Sequence, residues 1–186
     1  MQTLQTTSLR VSENQLFILD QQALPQEKRW LAADNVALLV DHIHALRVRG
    51  APLIGLSASL LLALLAQRGL TREALSEALE TLRAARPTAV NLHWALTQMM
   101  ACARQHEADG AEATTAALEE KAVAIHKADI AINTAMARFG ADELEKISRP
   151  LTLLTHCNAG ALATGDYGTA LGVVRSLARR GQVEWV

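Results

Sequence analysis

Cys157 is the side chain in this sequence best placed for nucleophilic or proton-transfer chemistry. It lies between His156 and Asn158, just after the apolar run Leu151-Thr152-Leu153-Leu154-Thr155. Gly160, Gly165, Gly168 and Gly172 follow, overlapping the start of a helical pattern over Ala170–Arg180. That order predicts strand, glycine-rich turn and helix, the opening of a parallel α/β unit. Polar groups at the C-terminal end of such a strand sit where open α/β sheets bind ligands. A thiol there, ahead of a helix N-terminus, is open to a lowered pKa and so to reactivity. The alternative is a small apolar residue closing a strand end. His156 need not face Cys157, because alternate strand residues point to opposite faces.

Two arginines stand at predicted helix starts. Arg49 precedes Gly50, Ala51 and Pro52, and Arg86 precedes Pro87. A guanidinium beside free backbone N–H groups and a helix dipole has the parts of an anion site. A solvated surface arginine is the plain alternative at both places. The glycines spell neither G-x-G-x-x-G nor a P-loop, so a dinucleotide or nucleoside triphosphate is unsupported, while a small phosphorylated ligand is allowed. The histidines have no metal-ligand spacing, and no carboxylate pair suited to acid–base work stands out.

The elements that must position these groups are mostly helical. Residues 8–20 predict a β-hairpin turning at Glu13-Asn14. Asp34 is placed to cap a helix reaching about Leu46. Pro52 to Gln67 is apolar nearly all round and predicts a buried core helix closed by Gly69. Thr71 caps a helix to about Ala85, and Arg86 opens another of about twenty residues that carries Cys102 on its apolar stripe. Residues 111–139 predict the longest helix, stopped by Gly140. A charged connector leads to Pro150, where the domain boundary is placed. Residues 1–150 are then a helical domain with a small hairpin or sheet. Residues 151–186 are an incomplete Rossmann-like domain of first strand, first helix and the start of a second strand.

The 186 residues are half hydrophobic, with 3% aromatics and a formal net charge of -1. No basic face suggests a nucleic-acid partner. Two cysteines make no disulfide framework, and a reducing, cytoplasmic setting is expected. The first residues lack a signal-peptide pattern, and Ala51–Ala66 is too short and too interrupted for a membrane span.

Three stretches together go beyond residue chemistry. Val48–Gly55 (VRGAPLIG), Arg86–Leu92 (RPTAVNL) and Thr155–Thr164 (THCNAGALAT), continued by Tyr167–Gly172 (YGTALG), resemble the signatures of the methylthioribose-1-phosphate isomerases, in that order and at similar spacing. The resemblance implies an α/β protein with a mainly helical first domain. It implies conversion of 5-methylthioribose 1-phosphate to its ketose, within methionine salvage, without metal or nucleotide cofactor, in a homodimer. By motif position, Cys157 would be the active-site cysteine, Arg49, Gly50 and Ala51 would bind substrate, and Arg86 would hold phosphate. The resemblance covers only about the first half of such an enzyme. The family's catalytic aspartate falls beyond Val186, so this chain is expected to be impaired. The rival relatives are ribose-1,5-bisphosphate isomerases and the regulatory subunits of a translation-initiation exchange factor. The cysteine motif argues against the regulatory subunits.

Overall fold

The computed structural model of the chain describes residues 1, 3–147 and 149–186. The hairpin forms as its pattern requires. Strands β2 (Leu9–Ser12) and β3 (Gln15–Leu19) pair antiparallel, with Leu9 opposite Ile18 and Val11 opposite Leu16. Glu13 and Asn14 both take φ near +55°, the two left-handed residues of a tight hairpin turn (φ 52° and 56°). Two short strands flank the pair, β1 (Leu4–Gln5) and β4 (Trp30–Ala32), giving one sheet in the order β1-β2-β3-β4. Leu9, Val11, Leu16 and Ile18 are fully buried on its inner face.

Helix α1 (Val36–His44) is capped by Asn35, whose side chain accepts the Leu38 N–H at 2.9 Å. This corrects the expected cap at Asp34. An asparagine caps as well as an aspartate, and Asp34 is one residue too early to reach the first turn.

Helix α2 (Ala51–Gln67) is the centre of the molecule. Thirteen of its 17 residues are buried, on every side. The sheet and helices α3 (Arg72–Ala85), α4 (Val90–Gln105) and α5 (Ala111–Glu145) pack around it. The hydroxyls of Ser57 and Ser59 are spent on the Ile54 and Leu56 carbonyls, both at 2.9 Å, so they cost the core little. Among the described residues no helix is long and apolar enough to cross a membrane.

Two helix boundaries differ from expectation. Arg86 belongs to the junction after α3, and α4 starts only at Val90, because Pro87 holds the preceding residue extended (Arg86 φ -150°, ψ 84°). Helix α5 runs straight through Gly140 to Glu145. A β-carbon there would lie 2.8 Å from Val173, so glycine serves as a helix–helix contact and not as a stop.

The final segment forms a parallel unit. Strand β5 (Leu151–Thr152) pairs with β6 (Val183–Trp185) across helix α6 (Ala170–Arg179), with Leu151 opposite Val183. β5 is shorter than the expected Leu151–Thr155, and Leu154 is fully exposed. Ala141, Leu151 and Leu177 make a small second core between α5, β5 and α6, joined by Leu144, Val173 and Val183.

Candidate functional site

The three signature stretches meet around the N-terminal half of α2, and two glycines show how closely. Gly50, the N-cap of α2, is buried against the loop that follows Cys157. A β-carbon at Gly50 would stand 2.2 Å from the Ala163 Cα and 2.4 Å from its carbonyl oxygen. One turn on, a β-carbon at Gly55 would stand 2.7 Å from the carbonyl oxygen of Asn91 at the start of α4. Both glycines are needed for close backbone approach.

Arg49 is exposed, immediately before the uncapped N-terminus of α2, which has Pro52 in its first turn. The first N–H groups of a helix have no partner inside it and carry the positive end of its dipole. Arg86 is half-buried, and its Nη1 is enclosed with no hydrogen-bond partner among the described residues. A guanidinium N–H shut away unpaired is costly unless something charged meets it. The residue before Arg86 is tied down: the His44 Nε2–H donates to the Ala85 carbonyl at 2.9 Å, linking the end of α1 to the end of α3.

Cys157 is exposed and takes a left-handed backbone conformation, with φ +68°. It does not directly precede a helix N-terminus. A 3-10 turn over Ala161–Ala163 and the loop to Gly168 lie between it and α6, and the residues leading into it are largely exposed. The expected buried strand end beneath the thiol is therefore absent. The loop itself is firmly held. Gly160 and Gly168 form an antiparallel bridge, and Thr169 N–H donates to the Ala159 carbonyl at 2.9 Å. A β-carbon at Gly168, where φ is +90°, would stand 2.7 Å from the Gly160 carbonyl carbon, leaving no space for a side chain. Cys102, by contrast, is core on α4, and burial pushes its thiol pKa up, with the Lys121 charge only partly offsetting this.

Three residues that sequence reasoning did not single out grip this loop. The buried Gln21 donates from Nε2 to the Leu162 carbonyl at 2.7 Å, while its backbone N–H donates to the Arg47 carbonyl at 3.2 Å. It thereby joins the cysteine loop to the turn leading into Arg49. Asp129 on α5 accepts the Gly165 N–H at 2.7 Å, and Thr7 donates to Asp166 at 3.0 Å. Burial raises the Asp129 pKa, against the bonds from Gly165 and Asn133. Burial likewise lowers the pKa of His126, one turn earlier on α5, which the nearby Asp166 charge opposes. The signal for Asp129 was present: His126, Asp129 and Asn133 are polar groups at helical spacing on a helix face that must be buried. Gln21 sits in an irregular connector with no pattern to mark it.

Two concavities, of about 480 and 600 Å³, lie elsewhere. One is at the far end of α2, near the starts of α3 and α5, and the other is between α1 and α3; none of Arg49, Gly50, Ala51, Arg86 or Cys157 lines either. Among the described residues no group of three His, Cys, Asp or Glu side chains is arranged to hold a metal ion.

The chain is 65% identical to the methylthioribose-1-phosphate isomerase of Klebsiella pneumoniae (strain 342) over 188 aligned positions, covering 100% of this chain and 52% of that protein. It is 57% identical to the enzyme of the same name from Cronobacter sakazakii, over 100% and 53%. The chain spans about half the length of the curated relatives it matches. Among solved structures, 5-methylthioribose 1-phosphate isomerase from Pyrococcus horikoshii superposes with a TM-score of 0.86 at 30% identity, covering 98% of this chain and 52% of that one. Subunit delta of the translation initiation factor eIF-2B from A. fulgidus gives 0.77 at 33%, covering 96% and 52%. Residues 47–184 match the initiation factor 2 subunit family, a span that begins just before Arg49 and takes in Arg86 and Cys157, and the chain belongs to that family.

Proposed function

We propose that this chain is the site-bearing N-terminal part of a sugar-phosphate isomerase that converts 5-methylthioribose 1-phosphate to 5-methylthioribulose 1-phosphate. The observation that carries this reading is the convergence of the RGAP turn and the cysteine loop at Gly50 and Ala163, in a chain 65% identical to an enzyme of that name. In this reading Arg86 holds the phosphate, whose oxygens would satisfy the enclosed Nη1. Arg49, Gly50 and Ala51 receive the sugar phosphate at the α2 N-terminus. Cys157 is the active-site cysteine, presented on a strained left-handed residue.

The overall reaction moves the hydrogen on C2 to C1 and the 2-hydroxyl proton to the ring oxygen, which leaves C1, so that a carbonyl remains at C2. No electrons are gained or lost, so no external oxidant or reductant is required. Ring opening requires a proton on the ring oxygen as its bond to C1 breaks, and a positioned acid–base group supplies such steps. A boundary near Pro150 between the helical unit and the α/β unit, a homodimer and a cytoplasmic location belong to the same proposal. The likeness to eIF-2B subunit delta supports a second, non-catalytic assembly role. The retained Cys157 with two anion-suited arginines favours the isomerase.

The test is an isomerase assay followed by NMR, with binding of methylthioribose 1-phosphate measured by calorimetry. Turnover that disappears in Cys157→Ser supports the full reading. Binding that weakens about ten-fold or more in Arg86→Ala supports the site even without turnover. A chain that neither binds nor converts this sugar phosphate sinks the proposal.

A further inference from the structure

We propose that Asp129 is a positioning residue for the candidate site, fixing the loop after Cys157 against α2 through its bond to the Gly165 N–H. The proposal rests on reading the Cys157–Gly168 loop as the functional loop.

Asp129 is half-buried on α5, yet no lysine, arginine or histidine lies within ion-pair distance of it among the described residues. A partly desolvated carboxylate without a cation is a net cost to the fold. An apolar side chain at this position of a packed helix would serve stability better. What the carboxylate does make is specific. One oxygen, Oδ2, accepts both the Gly165 N–H at 2.7 Å and the Asn133 amide at 3.0 Å. Asn133, itself buried, holds that oxygen in place from one turn further along α5.

The contact leaves no slack. A β-carbon on Gly165 would lie 2.9 Å from Asp129 Oδ2 and 3.3 Å from both Ile130 and Leu56. The loop backbone is therefore wedged between α5 and α2 at this point. Two residues earlier, Ala163 meets Gly50 at the α2 N-terminus. One residue later, Asp166 is fixed by the Thr7 hydroxyl and by the Tyr167 N–H at 2.7 Å. Asp129 thus sets how deeply the loop seats, and with it the position of Ala163 beside Arg49 and Gly50.

Amide hydrogen exchange by NMR on this chain tests the role, comparing Asp129→Ala with Asp129→Asn. The asparagine keeps a carbonyl acceptor at the same reach. Asp129→Ala is expected to speed exchange at Gly165 and Ala163 about ten-fold or more while leaving Leu60, Leu61 and Leu62 in α2 unchanged. Asp129→Asn is expected to restore protection to within about three-fold of the parent. The proposal is overturned if Asp129→Ala leaves Gly165 exchange unchanged, or speeds the α2 amides as much as the loop. It is overturned equally if Asp129→Asn behaves as the alanine variant does. Asp129→Leu, close to aspartate in shape but with no acceptor, replaces the alanine variant if that one does not fold. No substrate enters these readouts, so their failure counts against Asp129 alone, while failure of the isomerase reading shows only in the assays above.

Discussion

Gly50 has backbone where a side chain would be, with Ala163 Cα at 2.2 Å from the point a β-carbon would occupy. No rotamer change relieves that clash, because both partners are main chain. Gly50→Ala is therefore expected to cost about 1–3 kcal/mol in urea unfolding and to unseat the loop, seen as faster amide exchange at Ala163. Two aspartates make opposite predictions with pH. Asp20 is buried and tends to rise by burial, but the Arg29 guanidinium at 2.9 Å and the Gln22 N–H at 3.0 Å outweigh this and hold its pKa below 3.8. The stability it contributes is present above pH 4 and lost as pH falls through that lowered value. Asp20→Asn should cost about 1 kcal/mol at pH 7, modest because Arg29 is half exposed, and the difference should close on acidification. Burial raises the Asp129 pKa, so its charged form burdens the fold, and its contribution declines as pH rises from the ordinary carboxylate range through that raised value. At pH 7 Asp129→Asn should match or exceed the parent in thermal unfolding midpoint. Cys157, Arg49 and Arg86 stand out in the sequence as candidates through the motifs that carry them. Gln21 was not, because nothing local tells a connector glutamine that its amide will reach a loop about 140 residues away.

Helix α2 was legible as an element because an apolar run of that length has no polar face to offer and must be enclosed. The hairpin was legible because Glu13-Asn14 separates two alternating runs. What failed were boundaries decided by partners. Gly140 reads locally as a stop, yet α5 continues because the helix it must pack against, α6, brings Val173 to 2.8 Å of the missing β-carbon. Gly140→Ala is expected to destabilise by about 1–3 kcal/mol despite its better helix propensity. Val173→Ala removes the obstructing methyl groups, so the double variant should recover most of the loss. A double-mutant cycle of unfolding free energies gives that coupling directly, and additive effects would show that the two helices do not meet there.

Over the whole molecule, apolar surface is left uncovered. Ile132, Met136 and Phe139 form an exposed stripe along α5, with Phe139 59% accessible, and Trp94 on α4 and Trp185 on β6 are also open. The two-stranded parallel sheet packs one side on α5 and α6 through Leu151 and Val183, with no second layer of helices such as covers a full α/β sheet. Stripes of this kind favour association. The chain is expected to sediment as a concentration-dependent mixture at around tens of micromolar, and Ile132→Glu with Phe139→Glu to shift it toward monomer. A single monomeric species across that range would count against this.

The seam between Gly50 and Ala163 also bears on how the molecule comes into being. Its two sides are separated by about 110 residues of chain, and every helix of the core but α1 and α6 lies between them. Closing so long a loop is entropically expensive and is repaid only after the intervening helices have condensed. The seam is therefore expected to close late in folding, after the hydrophobic core it rests on. During synthesis the α2 terminus leaves the ribosome about 110 residues ahead of the loop that packs against it.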